Sequence, residues 1–173
     1  MDSFDFIPFD DPAPAEGSCV DLRLPNREYA AELAAYQAAL KFNPFAENNV
    51  CESYAPRLVD SPEELIGADE VCVPQGTVTL VVGYPFSGQY AVAINASAST
   101  GFTRAELFRQ VARVYSAMFD GARFSSVEHL ENTHVESPRF GTAWHVLDDL
   151  VIEEVLLQTR EDGRVLVWIY IGS

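Results

Sequence analysis

Positive charge is scarce in this sequence, and that scarcity excludes several classes of partner. The 173 residues contain 11 Lys and Arg against 26 Asp and Glu, so the formal net charge is −15. An acidic surface repels phosphate groups, which disfavours binding to nucleic acid and to anionic membranes. We therefore expect no nucleic-acid and no membrane partner. The negative charge either serves solubility or favours a basic protein partner.

Cysteine is also scarce. Cys19, Cys51 and Cys72 are the three cysteines, and their number is odd. Their spacing fits no CxxC metal pattern, so free thiols are the expected state. Free thiols are typical of reducing compartments, and the sequence therefore predicts the cytoplasm or another reducing environment.

Long apolar runs and targeting signals are missing as well. No stretch reaches the roughly 18 consecutive apolar residues that a membrane helix needs. The first residues, MDSFDFIPFDD, contain no Lys or Arg. That composition argues against a secretory signal or a transit peptide.

The chain nevertheless has enough apolar residues for a sizeable core. Hydrophobic residues make up 48% of it, which suits one domain with an appended arm. Composition divides the chain into three parts. We expect an acidic, aromatic arm over residues 1–25, a helical and irregular extension over 26–75, and an α+β sheet domain over 76–173.

The arm interleaves aromatic side chains with Pro and Asp. Phe4, Phe6 and Phe9 lie among prolines that favour extended backbone. The arm is either disordered or loosely packed, or it is a hydrophobic clip that docks on its own domain or on a neighbouring subunit. Because exposed aromatic rings are costly in water, we expect these three residues to contact a protein partner or a second copy of the chain.

Hydrophobic periodicity predicts two helices and two hairpins. The Ala-rich stretch 27–41 is strongly helical, and 103–119 combines a capping box with one apolar face. The strands are expected over 77–84, 89–96, 150–158 and 164–171. The predicted fold class is α+β. It has a largely antiparallel four-stranded sheet in hairpin–helix–hairpin order, with a helix on one face, plus an N-terminal helix and the extended arm.

The last predicted strand is apolar on both faces. Trp168 and Tyr170 lie on one face, opposite a row of Val and Ile. Such a strand is usually central in a sheet that is covered on both sides. We therefore expect Trp168 and Tyr170 either to pack in a second layer of core or to line an apolar binding pocket.

One imidazole lies close to carboxylates in the sequence. His145 precedes Asp148 and Asp149, and a carboxylate can orient an imidazole for general-base catalysis. No nucleophile motif accompanies the pair. The alternative is that His145 forms a hydrogen bond that fixes the loop, while Asp149 caps a backbone turn.

Two further histidines, His129 and His134, lie in a long connection rich in Glu. A loop could bring them together on a metal ion, although the spacing does not place them on one face of a helix or a strand. A polar surface loop is the alternative. We predict no cofactor.

The second half of the chain contains an ordered set of scattered residues. They are Phe102-Thr103-Arg104, Glu106-Leu107, Tyr115, Phe140-Gly141, His145, Leu147, Asp149-Leu150, Ile152-Glu153 and the closing Ile171-Gly172-Ser173. Over about residues 76–173, this set resembles a small uncharacterised α+β family of large DNA viruses and of plants and algae. The family usually carries a Trp-Gly-His-Asp run, where this chain has Ala143-Trp144-His145-Val146. The resemblance implies a lineage and brings no established activity.

These observations favour a non-enzymatic structural or protein-interaction module. If the lineage is viral, a minor virion or capsid component is the expected form. The alternative is a small hydrolase or metal-dependent enzyme centred on His145 and Asp149.

Overall fold

The computed structural model describes residues 4–15, 17–25, 53–86, 88–120 and 145–173. Within these ranges the chain forms ten β-strands, one α-helix and two single-turn 3-10 helices. The strands are β1 Ile7–Pro8, β2 Ser18–Cys19, β3 Leu24–Pro25, β4 Ser53–Tyr54, β5 Val71–Val73, β6 Thr77–Val82, β7 Tyr90–Asn95, β8 Phe102–Thr103, β9 Val151–Thr159 and β10 Val165–Gly172. Helix α1 spans Arg104–Asp120, and the 3-10 turns span Pro62–Glu64 and Leu147–Asp149.

Six of the strands form one mixed sheet in the order β1-β7-β6-β10-β9-β2. The pair β6–β10 is parallel, and the other four pairs are antiparallel. Strands β3–β4 and β5–β8 form two short ladders beside it. The centre of the sheet is therefore the parallel pair, in which Val167 lies opposite Leu80.

The prediction of a four-stranded, largely antiparallel sheet is wrong. Both predicted hairpins form, but β6 and β10 join them in parallel, and the arm adds β1 and β2 at the two edges. The two strands that join are buried on both faces over much of their length, so they pack most favourably at the centre. The helix expected over 27–41 lies outside the described residues, and α1 is the one α-helix within them.

Helix α1 covers one face of the sheet, here called the front face. The Thr103 hydroxyl accepts a hydrogen bond from the Glu106 backbone N–H at 3.2 Å and so caps the first turn. Apolar residues of α1 and of the central strands share one buried cluster. They are Leu107, Phe108, Val111, Val114, Tyr115 and Met118 on the helix and Val78, Leu80, Val82, Val92, Ile94, Val167 and Ile169 on the sheet.

The N-terminal arm covers the other face, here called the back face. Because β1 lies at one edge of the sheet and β2 at the opposite edge, the chain between them crosses from edge to edge. The ring of Phe9 packs edge-on against Trp168 with centroids 5.6 Å apart, and Arg160 forms an ion pair with Asp11 at 2.5 Å. Under this cover Val81, Leu166 and Trp168 form a second buried cluster.

The first described residues of the arm lie on the front side. Phe4 and Phe6 are partly buried against the main core, with their ring centroids 6.2 Å apart. The guanidinium of Arg113, on α1, lies 5.9 Å from the centroid of the Phe4 ring. The arm therefore wraps the β7 edge and places aromatic rings on both faces. Within the described residues, no helix is long and apolar enough to cross a membrane.

We predict that the substitution Phe9→Ala lowers the free energy of unfolding by about 2 kcal/mol, because it removes a ring that shields Trp168. Ile7→Ala is the matched control, since Ile7 lies in the same arm but is 62% exposed. That variant should stay within about 0.5 kcal/mol of the parent chain. Urea unfolding followed by circular dichroism measures both values. Equal losses would show that the arm contributes no specific packing.

Candidate functional site

The parallel pair brings three distant parts of the chain to one end of the sheet. Because β6 and β10 run in the same direction, their carboxyl ends meet there. Tyr84 follows β6, and Ser173 follows β10. His145 lies just before the turn that leads into β9, and β9 starts at this end because it is antiparallel to β10.

The three side chains form a hydrogen-bonded chain. The Tyr84 hydroxyl lies 2.6 Å from His145 Nε2 and 3.0 Å from Ser173 Oγ. The two rings are tilted with centroids 5.4 Å apart. Since a phenol has one proton, Tyr84 donates it either to an unprotonated Nε2 or to Ser173. The arrangement can therefore pass a proton between imidazole and hydroxyl groups.

The backbone beneath Tyr84 is fixed by the core. The Tyr115 hydroxyl donates a hydrogen bond to the Tyr84 carbonyl oxygen at 3.1 Å. Burial raises the pKa of Tyr115 well above its usual range, so this donor stays protonated. The rings of Phe86 and Tyr115 are tilted against each other, with their centroids 5.5 Å apart. Tyr84 is nevertheless 44% exposed as a residue, and Val146 beside His145 is 52% exposed.

Asp149 braces the backbone turn before β9. Its carboxylate accepts a hydrogen bond from the Val146 N–H at 3.3 Å, and its own N–H donates to the Val146 carbonyl at 3.0 Å. Between the described residues His145 and Asp149, the structure shows neither a hydrogen bond nor an ion pair. Asp148 is exposed beside them. Of the two sequence interpretations, this geometry matches the capping one.

The remaining candidates from the sequence are His129, His134 and Trp168. His129 and His134 fall outside the described residues. Within those that are described, no group of three or more His, Cys, Asp or Glu is placed to hold a metal ion. Trp168 is buried and donates its indole N–H to Gln158 at 3.1 Å, so it serves the back-face core.

A groove of about 580 Å³ lies beside the same end of the sheet. Tyr170 lines it from β10. The remaining lining residues come from the arm and from β9: Cys19, Val20, Asp21, Leu22, Arg23, Ile152, Glu153, Glu154 and Val155. The groove adjoins the Tyr84 cluster, because the Glu153 carboxylate lies against Gly172, where any added Cβ would overlap it. Sequence reasoning missed this groove.

Comparison with known proteins gives no family for this chain. No protein-family model matches it, and neither the curated proteins nor the solved structures provide a match. The resemblance of residues 76–173 to a viral and plant family therefore stays a prediction.

We predict that Asp149→Ala lowers the free energy of unfolding by about 1 kcal/mol, because it removes the acceptor for the Val146 N–H. Asp148→Ala is the matched control, since it removes the same charge at the neighbouring exposed position. That control should change stability by less than about 0.5 kcal/mol. Thermal and urea unfolding measure the difference. If the two variants were equally stable, Asp149 would have no bracing role.

Proposed function

We propose that this protein is a non-enzymatic protein-interaction module. Its contact surface is the exposed end of the sheet formed by Tyr84, His145 and Val146, here called the rim. One observation carries the proposal. The rim exposes apolar surface on Tyr84 and Val146, while the polar atom of Tyr84 is already bonded within the chain.

A rim of this kind suits protein recognition. An aromatic ring held rigidly loses little conformational freedom when it enters a partner's pocket, which is why Tyr is enriched among the residues that dominate binding energy. The Tyr115 bond and the turn braced by Asp149 hold the two sides of the rim in place. The narrower expectation of a virion or capsid component rests on the family resemblance alone and does not belong to this proposal.

A photo-crosslinking amino acid at position 146 tests the proposal. In cells that naturally contain the protein, we expect it to form a discrete adduct with one protein. The same probe at position 59 is the control, because Val59 has similar exposure, 48% against 52%. Introducing Tyr84→Ser should reduce the adduct by about tenfold, the loss expected from removing one aromatic anchor. No adduct, or equal adducts from both positions, would contradict the proposal.

A second candidate function, acid–base hydrolysis, is favoured by the 2.6 Å contact between Tyr84 and His145. An imidazole in such a contact can accept a proton from an attacking water molecule. In this version His145 is the base and Tyr84 orients it, whereas Asp149 stays with the turn.

The hydrolase candidate predicts measurable cleavage of an activated ester such as p-nitrophenyl acetate. Because a positioned base accelerates a reaction about 100-fold or more, His145→Gln should reduce the rate by that factor. Asp148→Asn is the control and should leave the rate unchanged. If the rate of the parent chain equals that of free imidazole at the same concentration, the candidate is excluded.

A further inference from the structure

We propose that the groove between the arm and β9 binds an extended basic segment of a partner protein. This inference rests on the proposed interaction function and names the chemistry of the partner at the same end of the sheet. Three observations carry it: a gap in the pairing along the outer edge of β9, unbalanced negative charge, and an apolar lining.

The gap is created by an irregularity in β9. In the middle of the strand, the Val20 N–H donates to the Val155 carbonyl at 2.9 Å. Near the start of the strand, the Ile152 N–H donates to the Pro56 carbonyl at 2.9 Å. The register against β10 shifts between these points, because Tyr170 lies opposite Glu154 whereas Ile171 lies opposite Ile152. The extra residue, Glu153, leaves the regular ladder as in a β-bulge, and the groove opens beside it.

The groove carries negative charge that the described residues do not balance. Glu153 and Glu154 are both exposed, and the described residues provide neither with an ion-pair partner. Arg23 lines the groove, but its guanidinium forms two hydrogen bonds to Asp21, at 2.7 and 2.8 Å. These bonds lower the pKa of Asp21 and keep it ionised. The arginine is therefore already neutralised by its own carboxylate.

The negative charge of Glu154 affects the pKa values of two other residues that line the groove, Cys19 and Tyr170. Burial raises the pKa of Cys19, and so does Glu154, whose carboxylate lies 3.5 Å from the thiol. The pKa of Tyr170 is raised by burial and again by Glu154. Burial disfavours a charge of either sign, so only the contribution of Glu154 to these two shifts reports on the sign of the charge. The Glu154 carboxylate disfavours a further negative charge beside it and favours a cation.

The lining favours a peptide over a bare ion. Val20, Leu22, Ile152 and Val155 give the groove an apolar floor beneath its carboxylates. Lys and Arg side chains match such a site, because their aliphatic stems pack on apolar surface while their charged ends reach carboxylates. The volume, about 580 Å³, suits a few residues of an extended chain rather than a whole domain. The charge that attracts a basic peptide also repels phosphate.

The test uses a capped, dye-labelled hexapeptide of alternating lysine and leucine, with its glutamate–leucine counterpart as the negative probe. Fluorescence anisotropy on the full chain should show saturable binding of the lysine peptide alone. Raising the salt from 50 to 500 mM should weaken that binding, because exposed ion pairs are screened at high ionic strength. A lysine–serine peptide should bind more weakly, because it cannot occupy the apolar floor.

Two double variants locate the binding. Glu153→Gln with Glu154→Gln should weaken it about fivefold or more, as expected from two exposed ion pairs. Asp10→Asn with Glu161→Gln changes the net charge equally at exposed positions outside the groove, and it should have less than a twofold effect.

Neutralising Glu154 should also accelerate alkylation of Cys19 by iodoacetamide, measured peptide by peptide with mass spectrometry.

Several outcomes would overturn the inference. They are equal affinity for the lysine and glutamate peptides, equal effects of the two double variants, and binding of calcium ions with no binding of the lysine peptide. The rim is tested independently by crosslinking from position 146. Loss of peptide binding with an intact crosslink would reject the basic segment alone, whereas loss of the crosslink with intact peptide binding would reject the rim.

Discussion

The parallel pairing of β6 with β10 is the constraint on which the rest of the structure depends. Two strands that are buried on both faces can lie side by side only if each face of the sheet receives its own cover. Helix α1 provides the front cover, and the N-terminal arm provides the back one. The same pairing brings the carboxyl ends of both strands together and so creates the contact between Tyr84 and Ser173.

The N-terminal arm both covers the back face of the sheet and forms its two edge strands. Its crossing buries Trp168 under Phe9, and its two-residue strands lie on both edges of the sheet. Exposed edges promote pairing with other chains, and short edge strands that contain Pro reduce this risk. Pro8 in β1 fits this role, since it offers no N–H to an incoming strand. The aromatic residues of the arm thus contact their own domain, and their contact with a partner protein or a second copy stays a prediction.

Sequence reasoning located the local elements and missed their assembly. The hairpins and α1 follow from periods of two and 3.6 residues, which depend only on neighbouring residues. The parallel join depends on which strands are most apolar on both faces, and strands β1 and β2 are too short for any period. The interpretation of Asp149 as a turn cap depends on a local contact, because the Val146 N–H that bonds to its carboxylate lies only three positions earlier in the chain. In contrast, Tyr84 and His145 lie far apart in the chain, and no local pattern connects them.

The register shift at Glu153 determines which charged side chains are exposed at this end of the sheet. A regular strand would send alternate side chains to opposite faces, whereas the shift leaves Glu153 and Glu154 both exposed beside the same groove. In the sequence, the two consecutive glutamates inside an apolar strand were the signal for this register shift. Gly172 permits the arrangement, because any side chain there would overlap the Glu153 carboxylate. Charges exposed to water stabilise developing charge poorly but attract an oppositely charged chain effectively. This difference is the reason we propose recognition, and not catalysis, for the acidic groove and the aromatic rim beside it.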